Sequence, residues 1–169
     1  MNYLRRKLFL KKRVSRRFLR EERVVIDTSV FVEYIIENSP YHDLIDKILH
    51  GETGLKDLWT TPLVLSEVLY IVSRLYRIAN IQDPNARAKE YVSWIASRCK
   101  MMSIEELAIK AGELKKELRI SLSDCYVIAA AEKIGGKALF LKPEKEMIKV
   151  IDKIRNLNVI FLTEIISSV

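Results

Sequence analysis

Short apolar runs alternate along this chain with longer stretches of helical periodicity, and that alternation constrains the fold more than any other feature. The clearest stretches are Val24 to Asp27, Leu58 to Thr60, Lys137 to Leu141 and Asn158 to Leu162, with a weaker one at Lys100 to Ser103. A short, uninterrupted run of this kind reads as a strand buried on both faces. Strands separated by helices point to a parallel α/β sheet with right-handed crossovers.

The helical stretches carry their own punctuation. Helices are expected over Val30 to Glu37 and Tyr41 to His50. Thr61-Pro62 is a capping residue followed by Pro at the first helical position, opening a helix to about Ala79. Asp83-Pro84 opens another to Arg98. Ser103-Ile104-Glu105-Glu106 has the spacing of a capping box for a helix to Leu118, and Ser121-Leu122-Ser123-Asp124 repeats it for a helix over Cys125 to Ile134. Gly135-Gly136 ends that helix, and Pro143 to Arg155 reads as one further helix with Met147, Ile151 and Ile154 inward.

The 169 residues are 49% apolar with five Gly and four Pro, which fits one folded domain and argues against disorder. Cys99 and Cys125 form no CxxC pair, which excludes a cysteine-rich zinc site and fits a reducing cytoplasm. No apolar run approaches the length of a membrane span. Of the 29 basic residues, nine fall within Met1 to Arg20, where there is no acidic residue; the rest of the chain has 20 basic against 22 acidic side chains. Basic character therefore belongs to an N-terminal arm on a near-neutral body. Such an arm can attract phosphate backbones in a salt-dependent way. It also reads as a transit-like or surface-seeking basic helix, or as a solvated extension.

Four acidic residues stand where strands end or helices begin. Asp27 ends the first strand, Glu67 lies inside an apolar helix, Asp124 opens a helix, and Glu144 follows the fourth strand. Each has a local reading. Asp27 suits an N-cap, although Thr28 and Ser29 can cap in its place and free it for a ligand. Asp124 is the third helical position of the box opened by Ser121, and Glu144 complements a helix dipole. Glu67 is harder to explain, because its neighbours one turn away, Leu63, Val64, Tyr70 and Ile71, include no cation. A parallel fold brings such positions to its carboxyl edge. Carboxylates gathered there without a basic partner suit a Mg²⁺ or Mn²⁺ ion. His42 and His50 read as surface or helix-end residues, and Tyr91 and Trp94 as packing residues.

Val24 to Phe31 (VVIDTSVF), Pro62 to Tyr70 (PLVLSEVLY) and Ser121 to Ala131 (SLSDCYVIAAA) together resemble the PIN domain family, in particular the VapC-type ribonuclease toxins of prokaryotic toxin–antitoxin pairs. The resemblance covers about Arg23 to Thr163. It implies a three-layer α/β/α PIN-like fold with a central parallel sheet of about five short strands. Residues 1–22 are then a basic extension and 23–165 a PIN-like nuclease domain. It further implies a Mg²⁺- or Mn²⁺-dependent endoribonuclease, usually a homodimer, neutralised by a small antitoxin that also binds operator DNA. The family's first three acidic positions match Asp27, Glu67 and Asp124, and a supporting hydroxyl after the first matches Thr28 or Ser29. The fourth position departs. Lys142 stands where the family usually has Ser or Thr, and Glu144 stands where it has Asp.

The expected reaction is hydrolysis of an RNA phosphodiester, with Asp27, Asp124 and Glu144 holding the metal and Glu67 acting directly or through water. Lys142, Arg16 and Arg17 are candidates to meet substrate phosphate. The alternative is a PIN-fold module that binds RNA or a partner through a weakened or inactive site. The wide apolar arc of the helix from Pro62 suits either a protein interface or simple core burial.

Overall fold

The computed structural model describes residues 23–55 and 57–167; the basic arm, with Arg16 and Arg17, lies outside them. Five strands form one sheet: β1 (Arg23–Ile26), β2 (Asp57–Thr60), β3 (Lys100–Met101), β4 (Lys137–Phe140) and β5 (Val159–Phe161). All pairs are parallel, in the order β3-β2-β1-β4-β5. Helices α1 (Thr28–Tyr34) and α2 (His42–Leu49) link β1 to β2, and α3 (Pro62–Ile78) and α4 (Pro84–Arg98) link β2 to β3. Helices α5 (Ala108–Leu118) and α6 (Leu122–Lys133) carry the chain back across to β4. Helices α7 (Lys145–Ile148) and α8 (Ile151–Arg155) lead to β5, and α9 (Leu162–Ser167) follows it.

The strand order reverses direction at β1. Right-handed crossovers running one way from β1 cover one face, and those running the other way cover the opposite face. The expected three layers follow directly. β1 is sealed between them, with Val24, Val25 and Ile26 all at 0% exposure, which explains its uninterrupted β-branched run. Helix α6 lies against β1 and β4 and is buried from Asp124 to Ala131. Its Ala129-Ala130-Ala131 segment presents little side chain, which allows close approach to the sheet.

The chain then turns sharply into β4. Gly135 takes a left-handed φ of +61°, and the Gly135 and Gly136 N–H groups bond the Glu132 and Ala131 carbonyls at 3.1 and 2.9 Å. This is a Schellman ending, which favours Gly at the left-handed position. Gly136 lies so close to β1 that a Cβ there would sit 2.4 Å from the Arg23 carbonyl oxygen.

Some boundaries differ from expectation. The box at Ser103 does not cap α5. The Ser103 hydroxyl bonds the Glu105 carboxylate instead, and the helix begins at Ala108 after Leu107, which is buried in the core. Burial of Leu107 outweighs the capping bond, typically worth about 1 kcal/mol. The expected single helix over Pro143 to Arg155 breaks around Lys149 and Val150 into α7 and α8, each burying one apolar side chain, Met147 or Ile154. His42 and His50 stand at the two ends of α2, as expected, and both also join an aromatic stack. His42 stacks on Tyr34, Tyr34 on Trp94 and Trp94 on Tyr91, at centroid distances of 4.9, 5.6 and 5.8 Å, with His50 tilted against Trp94.

The two glycines make separable predictions for urea unfolding. Gly136→Ala is expected to destabilise by about 3 kcal/mol, because backbone atoms must move. Gly135→Ala meets no neighbour within 4 Å and should cost only the left-handed strain, about 1–2 kcal/mol.

Candidate active site

The carboxyl ends of β1 and β4 meet where the strand order reverses, the position at which open α/β sheets form a crevice. The Asp27 N–H extends the ladder to the Leu139 carbonyl at 3.0 Å. Its side chain then turns away from the sheet and caps α1. Asp27 Oδ2 accepts the Ser29 N–H at 2.8 Å and the Ser29 hydroxyl at 2.6 Å. Of the two readings that the sequence left open, a cap by Asp27 or by Thr28 and Ser29 in its place, the structure has Asp27. Ser29 Oγ also accepts the Leu141 N–H at 3.1 Å. One hydroxyl thus ties the end of β4 to the carboxylate at the end of β1.

Thr28 points elsewhere. Its hydroxyl donates to Glu67 Oε2 at 2.8 Å, and the Ser123 hydroxyl donates to the same oxygen at 3.1 Å. Glu67 projects from α3, whose start is set by the Thr61 side chain accepting the Val64 N–H at 3.3 Å and by Pro62. The partner missing from Glu67's own helix is therefore supplied by hydroxyls at the starts of α1 and α6. Ser123 was not among the residues singled out from sequence. The signal was its place in Ser121-Leu122-Ser123-Asp124: Ser121 caps the Asp124 N–H at 3.1 Å, which leaves the second serine's hydroxyl for another task.

Asp27 and Asp124 are 4% and 5% exposed, whereas Glu67 and Glu144 face solvent. Burial pushes the Asp27 carboxyl up to about 6, with Glu67 adding to the rise and the Ser29 hydrogen bonds opposing it. Burial pushes Asp124 up to about 8, reinforced by the charges of Asp27, Glu144 and Glu67 against the Ser121 hydroxyl. Glu144 is also raised, first by partial burial and then by Glu146 and Glu67. The four acidic positions thus repel one another electrostatically, and Glu146 joins them. Glu144 occupies the N-cap position of α7 without a side-chain capping bond, and Lys142 beside it is exposed.

Asp124 Oδ2 is buried and has no hydrogen-bond partner. Among the described residues, no ion pair involves Asp27, Glu67, Asp124 or Glu144. A buried, unpartnered oxygen within a group of mutually repelling carboxylates is an environment that a hard cation relieves. Among the described residues, no three acidic, thiol or imidazole side chains close tightly around one point. The oxygen-only donor set is the type Mg²⁺ and Mn²⁺ use.

The raised values set the pH dependence of the metal-free protein. Asp27 and Asp124 hold their protons to about pH 6 and 8 when folded but ionise near 4 when unfolded. Folding therefore binds protons in this window, and stability falls as pH rises from about 4 through 8. In EDTA, Asp124→Asn should raise the melting temperature. The gain should grow from pH 5 to pH 8, at roughly 2–4 °C for each kcal/mol relieved. Thermal melts across that range check it, and an unchanged or lower melting temperature at pH 8 contradicts it.

A family profile described as PIN domain matches residues 24–164. Among curated proteins, none matches the sequence significantly. Several solved structures share the fold. VapBC2 from Rickettsia felis, bound to a DNA fragment from its promoter, is 18% identical with a TM-score of 0.57, covering 82% of this chain and 97% of that one. VapBC-1 from nontypeable Haemophilus influenzae is 13% identical with a TM-score of 0.53, covering 83% and 98%. PAE2754 from Pyrobaculum aerophilum is 18% identical with a TM-score of 0.52, covering 76% and 85%. The strand order, the acidic crevice at its reversal and the match over nearly all the described residues lead to one conclusion: this chain belongs to the PIN domain family, a family of nucleases.

Proposed function

We propose that this chain is a metal-dependent endoribonuclease, the toxin of a VapBC-type toxin–antitoxin pair. The observation that carries the reading is the buried, unpartnered Asp124 Oδ2 beside Asp27 at the reversal of strand order. Asp27, Asp124 and Glu144 would hold Mg²⁺ or Mn²⁺. When bound, the ion lowers the pKa of a coordinated water and neutralises charge on the scissile phosphate. Ser29 fixes the Asp27 carboxylate through two hydrogen bonds, and Thr28 and Ser123 orient Glu67. The apolar side chains of β1, β4 and α6 beneath the site are buried, and a low-dielectric wall strengthens electrostatic interactions beside it. Lys142 is exposed next to Glu144, and in this reading Lys142, Arg16 and Arg17 would meet the substrate phosphates.

The partners follow from surface and compartment. Helix α3 fully buries only Val64, Val68 and Val72, and leaves Tyr70 and Ile78 exposed. That surface suits a small antitoxin or a second copy of the chain. Cys99 and Cys125 are free thiols buried in the core; the compartment that goes with this reading is the cytoplasm, where thiols stay reduced. Among the described residues, no helix is long and apolar enough to cross a membrane. The second reading, a binding module with a weakened site, draws on Lys142 and on the solvent-facing Glu144 at the fourth position.

Structured RNA incubated with the purified protein in Mn²⁺ should be cleaved, and cleavage should vanish in EDTA and in Asp27→Asn. Cleavage that survives either change overturns the metal mechanism, and RNA binding without cleavage under any condition selects the module. Deleting Met1 to Arg20 should weaken RNA binding and flatten its salt dependence, by about 0.7 in log–log slope for each RNA phosphate that the arm no longer neutralises; titrations at several salt concentrations measure it.

A further inference from the structure

We infer that Ser123 is a positioning residue, acting with Thr28 to set which oxygen of Glu67 faces the crevice. The inference deepens the nuclease reading above and rests on it. Glu67 is exposed on α3, and a glutamate in that setting ordinarily samples several rotamers. Here Thr28 Oγ1 and Ser123 Oγ converge on Oε2 alone, at 2.8 and 3.1 Å. An ionised carboxylate only accepts, so each hydroxyl places its one proton on that oxygen. No described residue donates to Oε1. One carboxylate oxygen is therefore committed to the protein and the other is left for a ligand or its water.

The origin of the two hydroxyls gives the arrangement its meaning. Thr28 follows Asp27 in the chain, and Ser123 precedes Asp124. Glu67 is thereby tied to the neighbours of both buried carboxylates, on two helices that sequence places 39 and 56 residues away. Helices α1, α3 and α6 cannot shift independently at this edge without breaking one of these bonds. Partners that orient a ligating group without touching the metal typically change metal affinity by an order of magnitude or more.

The test is Mn²⁺ binding by titration calorimetry on the full chain, which needs no turnover, with thermal melts in EDTA alongside. Ser123→Ala should weaken Mn²⁺ binding roughly tenfold while the melting temperature in EDTA stays close to wild type. Ser123→Thr, which restores the hydroxyl, should recover most of the affinity. In a Glu67→Ala background, Ser123→Ala should add almost nothing, because its route of action is gone. Unchanged affinity in Ser123→Ala, or an equal loss with and without Glu67, overturns the inference while leaving the nuclease reading intact. A wild-type chain that takes up no Mn²⁺ overturns both.

Discussion

The pairing of β1 with β4 is the constraint on which the rest depends. It puts the strand ending in Asp27 beside the strand leading to Glu144, although 113 positions separate Val24 from its partner Lys137. The pairing requires Gly136, because any side chain there would collide with the Arg23 backbone. It is closed at its other end by Ser29, which accepts from Leu141 and donates to Asp27. Packing governs one end of the ladder and a polar bond the other, and the crevice opens at the polar end.

Burial and charge conflict at that crevice. A chain selected only for stability would not place Asp124 under the sheet edge with an unpartnered oxygen, since a buried polar atom without a partner costs on the order of 1–3 kcal/mol. Neighbouring carboxylates add repulsion and raise its pKa further. The protein offsets part of this cost with hydroxyls rather than with lysine or arginine. Ser29, Thr28, Ser123 and Ser121 stabilise carboxylates or cap helices without neutralising them. The carboxylates' own tendency to repel is left unrelieved by any lysine or arginine among the described ion pairs. That distinction separates this edge from a structural ion-pair network such as the one at the opposite end of the sheet, where Lys100 and Arg23 pair with Asp57 at 2.7 and 3.7 Å.

Much of this was readable in the chain. The strand runs, the helix starts at Pro62 and Pro84 and the Gly135-Gly136 stop all rest on local stereochemistry, which a short window of sequence carries. The failures were local rules overridden by packing. The Ser103 box yielded to burial of Leu107, and the Pro143 to Arg155 helix broke so that Met147 and Ile154 could each reach the core. Asp27 is a different case: the sequence left it open as a cap or a site residue, and it caps α1 at the sheet edge, because the helix start and the sheet edge coincide there.

Sequence alone determined the α/β class, the four acidic positions and the apolar strands, since periodicity and capping depend on neighbours within a few residues. The strand order, the burial of Asp124 and the clamp on Glu67 were decided only by tertiary structure. Hydroxyls 39 and 56 residues from Glu67 reach one of its oxygens, and no local pattern encodes which distant side chains a folded sheet will bring within hydrogen-bonding distance.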